Sequence, residues 1–212
     1  MNSIGVWATL INFVCASAWA DCSTKGGSDR WGVKTSIVHP VSTAKAVDLK
    51  TLLELQNPPL TKAQKQDLQE HRLPRQPGAD MKEGDIVTVE GVVDRVKCSA
   101  DDDDYHLQLR TEDDATRCLI AEIPNGKFAT QKALAKTVDK YRKYIRDSLY
   151  GGKMPNGKEP SAANKKARIT GQLFFDSHHE TKTSPGGGRG SGPCTVVNLW
   201  EIHPITSIEV IQ

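Results

Sequence analysis

Three of the six histidines follow a carboxylate by two positions: Asp104-x-His106, Asp176-x-His178 and Glu201-x-His203. With 26 acidic residues in 212, chance supplies fewer than one such pair. In an extended chain residues i and i+2 share a face, so each pair sets an acid beside an imidazole. Carboxylates and neutral imidazoles grouped this way are ligands for a divalent metal, or acid–imidazole pairs that orient such ligands, and they support metal-assisted hydrolysis. Glu122 and His179-Glu180 join the set if the fold brings their faces together. The candidate catalytic residues are therefore Asp104, His106, Glu122, Asp176, His178, Glu201 and His203, with His106, His178 and His203 as candidate metal ligands. The competing reading is that the pairs are local acid–histidine hydrogen bonds on solvated strand faces. There is no HExxH and no HxH to concentrate ligands.

A second chemistry-bearing feature is charge. Residues 127–168 hold 12 basic and 3 acidic side chains, whereas residues 94–122 hold 4 basic and 9 acidic ones. Lys132, Lys136, Lys140 and Lys143 recur at helical spacing and form a basic ridge, with Arg142 and Arg146 nearby, that suits the phosphates of nucleic acid or another polyanion. The plain alternative is a solvated helix face. The run Asp101–Asp104 reads as a solvated hairpin turn, since it lacks the glycine and terminal glutamate of a calcium loop. Gly186-Gly187-Gly188-Arg189-Gly190 is not followed by Gly-Lys-Ser/Thr and is a loop rather than a phosphate cradle. No G-x-S-x-G elbow is present.

Lys and Arg number 28 against 26 Asp and Glu, so a net charge of +2 gives no global reason for binding polyanions. Hydrophobic residues at 37% and charged residues at 25% exclude a transmembrane bundle and a wholly disordered chain. Residues 1–20 carry no charged side chain, are apolar from Ile4 to Val14 and end in Ala18-Trp19-Ala20, the pattern of a signal peptide cleaved before Asp21. The mature chain then has no membrane span and is expected to be secreted or periplasmic. It retains four cysteines, Cys22, Cys98, Cys118 and Cys194, which suit two disulfides of undetermined connectivity in an oxidising compartment.

The elements that must position these residues follow from periodicity. Ala44–Leu55 has apolar residues at helical spacing, and a second helix opens at Thr61 with Gln64 completing a capping box and runs to about His71. Residues 21–80 thus read as an irregular, partly helical N-terminal arm. Asp85–Lys97, with Gly91 at a bend or bulge, Tyr105–Arg110 and Arg117–Ile123 read as a three-stranded meander. Thr130–Leu149 carries an apolar stripe of Leu134, Val138, Tyr141, Ile145 and Leu149 and is the principal helix. Lys165–Asp176 and Asn198–Ile211 are strands again, the last interrupted by Pro204. Three strands, a helix and two strands is the element order of an OB-fold, a five-stranded Greek-key barrel, here over residues 81–212.

Asp104-Tyr105-His106-Leu107, Ala121-Glu122-Ile123-Pro124, Thr170-Gly171 with Phe174-Phe175-Asp176 and a following histidine, and Glu201-Ile202-His203-Pro204 occur in that order, preceded by Arg30-Trp31-Gly32-Val33-Lys34-Thr35. The series resembles an uncharacterised domain family of secreted bacterial proteins across most of residues 30–210. The resemblance implies an extracytoplasmic OB-like domain and no particular reaction. The expectation is a secreted, disulfide-stabilised binding module for an extracellular ligand, with an anionic polymer such as nucleic acid among the candidates. The alternative is a metal-dependent phosphodiesterase or nuclease built on the acid-x-His pairs.

Overall fold

The computed structural model describes residues 22–153, 155 and 161–212; the expected signal peptide, residues 1–20, lies outside them. In chain order the elements are α1 (Trp31–Lys34), β1 (Lys45–Ala46), α2 (Leu49–Leu53), α3 (Lys62–Asp67), β2 (Ile86–Cys98), β3 (Tyr105–Arg110), β4 (Arg117–Ile123), α4 (Lys132–Tyr150), β5 (Ser161–Phe175) and β6 (Thr195–Val210). Alternating β-branched and aliphatic residues make β2 to β6, and their pairing closes a barrel. β2 to β4 form the antiparallel meander, β4 runs parallel to β6, and β6 and β5 are antiparallel. β5 then returns to β2 over ten paired positions from Ile86↔Gln172 to Val96↔Ser161. This ring order, with a helix between the third and fourth barrel strands, is that of an OB-like barrel, and β1 adds a two-residue parallel edge to β2.

Inward side chains of every barrel strand are buried. Leu107, Leu109, Leu119 and Ile169 are fully covered, each contributing roughly 1.5–3 kcal/mol relative to exposure. α4 lays Leu134, Val138 and Ile145 on this core and ends at Gly151, whose φ of 58° is a left-handed cap. Gly91 and Gly171 are needed for close approach. A Cβ on Gly91 would stand 2.9 Å from the Arg110 carbonyl oxygen, and one on Gly171 would stand 2.5 Å from Ile202 Cγ2 and 2.6 Å from the Pro204 carbonyl oxygen. The register shift expected at Gly91 falls instead between Val93 and Arg95, whereas Gly171 does sit at a shift in the β5–β6 ladder.

The N-terminal region departs from expectation in detail. Ala44–Leu55 is not one helix, because Lys45–Ala46 pair with β2 and Val47 donates to the Thr88 carbonyl at 2.9 Å. Asp48 then caps a short α2 through the Lys50 amide. The Thr61/Gln64 capping box forms, but α3 stops at Asp67. Leu49, Leu52, Leu53, Leu68 and Leu73 enter the same hydrophobic cluster as the barrel, so this region packs on it as part of one core.

Candidate functional site

β3, β4 and β6 lie side by side, and their registers assemble the site. His106 faces Glu122 directly in the β3–β4 ladder, and Ala121 pairs with Ile202, which brings Glu122 alongside His203. Glu122 therefore takes two imidazoles: His106 Nδ1 lies 2.5 Å from Oε1 and His203 Nδ1 lies 3.0 Å from Oε2. Asp104, at the entrance to β3, places Oδ2 3.6 Å from His203 Nε2. Lys34, the last residue of α1, reaches in with Nζ 3.1 Å from Asp102, 3.3 Å from Asp104 and 3.1 Å from Glu122.

A second group adjoins the first. Arg189 bridges Asp176 at 3.1 Å and Glu201 in closer contact, and Asp176 also bonds the His179 ring. Glu201 stands opposite Phe174 on β5.

Burial and charge set the protonation states. Burial alone would lower Lys34, but the carboxylates of Glu122, Asp104 and Asp102 raise its ammonium well above the ordinary lysine range. Burial works upward on Glu122, yet Lys34 and His106 hold it well below the usual carboxylate range. Burial pushes Asp104 and Glu201 well above that range, against Lys34 and Arg189 respectively. It also lowers His106 and His203, against the pull of Glu122. The neighbouring carboxyl groups of Glu122 and Asp104 are thus driven in opposite directions, and the two imidazoles on Glu122 are both held below the ordinary histidine range. Two carboxyl groups driven apart in this way are arranged for acid and base roles.

The site opens into a cavity of about 390 Å³ lined by the 25–34 segment, the β2–β3 loop, His106, Glu122, Phe174, Asp176, His178, His179 and Arg189. The loops after the first and fourth barrel strands are those with which OB barrels hold ligands. Here they supply Asp101, Asp102, Asp176 and Arg189 to the walls.

Of the sequence candidates, Asp104, His106, Glu122 and His203 converge, and Asp176 and Glu201 join them through Arg189. No acid in the three pairs is bonded to the ring of the histidine two positions on; the acid–imidazole partners come from across the sheet or one residue further. His178 is the correction among the candidate ligands. It turns away to an exposed contact with Asp29 at 3.5 Å, because β5 ends at Phe175 and Asp176 caps a 3-10 turn over Ser177–His179. The Asp101–Asp104 turn is not a solvated one throughout: Asp103 and Asp104 are fully buried, and Asp103 accepts from the Cys22 amide and Asn125. Arg142 and Arg146 do not extend the basic ridge. They face inward, Arg142 donating to the Asp103 and Ile123 carbonyls over the Tyr105 ring and Arg146 to the Tyr105 hydroxyl. Lys132, Lys136, Lys140 and Lys143 are exposed as expected and line no part of the cavity. Sequence reasoning missed Lys34, Asp102 and Arg189, whereas His179, read as able to join the set, does so through Asp176. The one available signal was Arg189, the single charge in the Gly-rich loop.

Fold and site together define a disulfide-stabilised OB-like module, with Cys22 joined to Cys98 and Cys118 to Cys194. Among the described residues no helix is long and apolar enough to cross a membrane. No family model matches the chain, and no curated protein matches it. Among solved structures, Entamoeba histolytica asparaginyl-tRNA synthetase aligns with a TM-score of 0.31 at 15% identity, over 62% of this chain and 22% of that one. At that score the alignment adds nothing to what the barrel's own topology says.

Acid should act on this site through Asp176. Burial would raise its carboxyl, but the His179 hydrogen bond and the Arg189 charge hold it far below the ordinary value. A carboxyl depressed in the folded state contributes stability that is complete above its unfolded pKa of about 3.9 and is lost as pH falls toward the folded one. The stability difference between the wild type and Asp176→Asn is therefore expected to be largest near neutrality and to shrink below about pH 4. Urea midpoints across a pH series measure it, and a difference that grows on acidification would contradict the assignment.

Proposed function

We propose that the protein is a secreted or periplasmic binding module that takes a hydroxyl-rich ligand, an oligosaccharide, in the cavity above β3 and β4. The observation that carries this reading is the cavity itself, framed by the two ligand loops of the barrel. Its walls alternate acceptors (Asp101, Asp102, Glu122, Asp176) with donors (Lys25, Lys34, Arg189), and Trp31 adds a flat apolar surface. Sugars, with hydroxyls that both donate and accept, suit such a wall. Single-stranded nucleic acid suits it less, since it needs exposed stacking aromatics. The aromatics of the barrel strands, Tyr105, Phe174, Phe175 and Trp200, are at most 4% exposed.

Titration with neutral and anionic oligosaccharides and with single-stranded DNA, at low and high salt, tests the reading. A saccharide is expected to bind with an affinity insensitive to salt, and Asp102→Asn to weaken it about tenfold through one lost charge-assisted hydrogen bond. Absence of saccharide binding at millimolar concentration would overturn it. The second reading, a polyanion on α4, is favoured by the exposure of Lys132, Lys136, Lys140 and Lys143 on one helix face. It requires DNA affinity that falls steeply with salt and with charge reversal of these lysines.

A further inference from the structure

We infer that Asp104, Glu122 and His203 form a binding site for a divalent transition ion, zinc or manganese, behind the cavity floor. Each of the three offers a ligand atom, and these atoms lie within 4.8 Å of one another. The grouping alone would not distinguish a metal site from a cluster of acids. The second observation is that the inward-facing atoms are unsatisfied. Among the described residues Asp104 Oδ1 and His203 Nε2 have no hydrogen-bond partner, and Asp104 Oδ2 has only its ion pair with Lys34, although Asp104 and His203 are fully buried. Buried polar atoms are normally paired, and two unpartnered atoms at one spot call for a partner. The 3.6 Å between Asp104 Oδ2 and His203 Nε2 is too long for a hydrogen bond, yet it is the separation of two ligands that each stand about 2.0–2.2 Å from a shared ion.

The donor set selects the ion. Two carboxylates and one imidazole suit zinc or manganese, whereas calcium takes six to eight oxygens. Three protein ligands leave a coordination position open, as in catalytic rather than structural zinc sites. On the cavity side the cluster is bordered by Glu122, Lys34 and Asp102, whose side chains are 8%, 12% and 17% exposed. Lys34 Nζ contacts two of the three ligands, so its ammonium competes with the ion for the same carboxylates. Binding must turn Lys34 toward Asp102, 3.1 Å away in the present arrangement. His106, on the other Glu122 oxygen, orients that ligand in the manner of an imidazole beside a metal carboxylate. The site stands independently of what the cavity binds.

The test is thermal unfolding of the chelator-treated protein with zinc, manganese or calcium chloride, combined with cobalt(II) absorption. At an ion concentration a hundred times Kd, zinc or manganese is expected to raise Tm by about 5–10 °C, and calcium at the same concentration to leave it unchanged. Cobalt should give the visible absorption of a nitrogen-containing site of low coordination number. Asp104→Asn and His203→Gln should abolish both signals, and Lys34→Gln, which removes the competing ammonium, should lower the apparent Kd at least about tenfold. The cobalt spectrum is recorded on folded material, so a variant that fails to fold is recognised by circular dichroism, and Lys34→Gln still decides. No shift and no absorption in either the wild type or Lys34→Gln would overturn the site. A shift that persists in folded Asp104→Asn would place the ion on surface histidines and overturn it equally.

Discussion

Replacing Arg30 with methionine is expected to cost about 3–5 kcal/mol of folding stability, because it leaves a buried carboxylate without its cation. Arg30 is 1% exposed, with its guanidinium 3.0 Å from Glu83 and donating to the carbonyls of Leu68 at 2.6 Å, His71 at 2.9 Å and Phe175 in a shorter contact. It also lies 4.6 Å from the Phe174 ring centroid. These bonds join the segment after α3 to the end of β5, next to the floor of the cavity. The loss should appear as a fall in Tm of roughly 10 °C or more, scored by calorimetry or urea unfolding. Arg30→Met with Glu83→Leu should recover a substantial part, since removing both charges also removes the desolvation cost. A single-variant cost below about 1 kcal/mol would mean that Arg30 is not the pin described here.

The second large effect concerns the disulfides. Both pairs span 76 residues, so in the loop-entropy picture each restrains the unfolded chain equally and is worth about 4 kcal/mol. Cys22→Ser with Cys98→Ser, and Cys118→Ser with Cys194→Ser, should therefore lower stability by similar amounts in urea. Their effects on ligand binding should differ. Cys22 anchors the segment that carries Lys25, Trp31 and Lys34 over the cavity, whereas Cys118 and Cys194 sit in a small cluster with Ile120 and Val196. Loss of the first pair should weaken binding in the cavity more than loss of the second. Equal binding with a strongly unequal stability cost would contradict both halves of the expectation.

The barrel was legible because period-two alternation is a strong signal. Tyr105–Arg110 and Arg117–Ile123 run as expected to the residue, and the other strands differ by a few positions at their ends. α4 was equally plain, but helical spacing alone could not say that Arg142 and Arg146 turn inward, since their partners are the carbonyls of the β2–β3 turn and of β4 and the Tyr105 hydroxyl. Ala44–Leu55 misled for a related reason. A helical pattern lost to a parallel strand edge and to Asp48, whose carboxylate offers the backbone a later start.

For the site, the residue types were readable and their partners were not. Asp104, His106 and His203 were singled out by spacing and Glu122 by its place on the third strand, yet their bonds run across strands, and register is a property of the closed barrel. Lys34 lies 70 positions before Asp104 and carried no local mark of its role.

The two cystine bridges do not interleave, so the covalent molecule is two successive rings, residues 22–98 and 118–194, with β3 strung between them and β6 trailing the second. Lys34 belongs to the first ring, Glu122, Asp176 and Arg189 to the second, and Asp104, His106, Glu201 and His203 to the two stretches that neither ring encloses. No single ring contains a working subset of these groups. The constellation comes into being only when both loops have docked and the free strands have zipped between them, which makes it an all-or-none reporter of the assembled barrel.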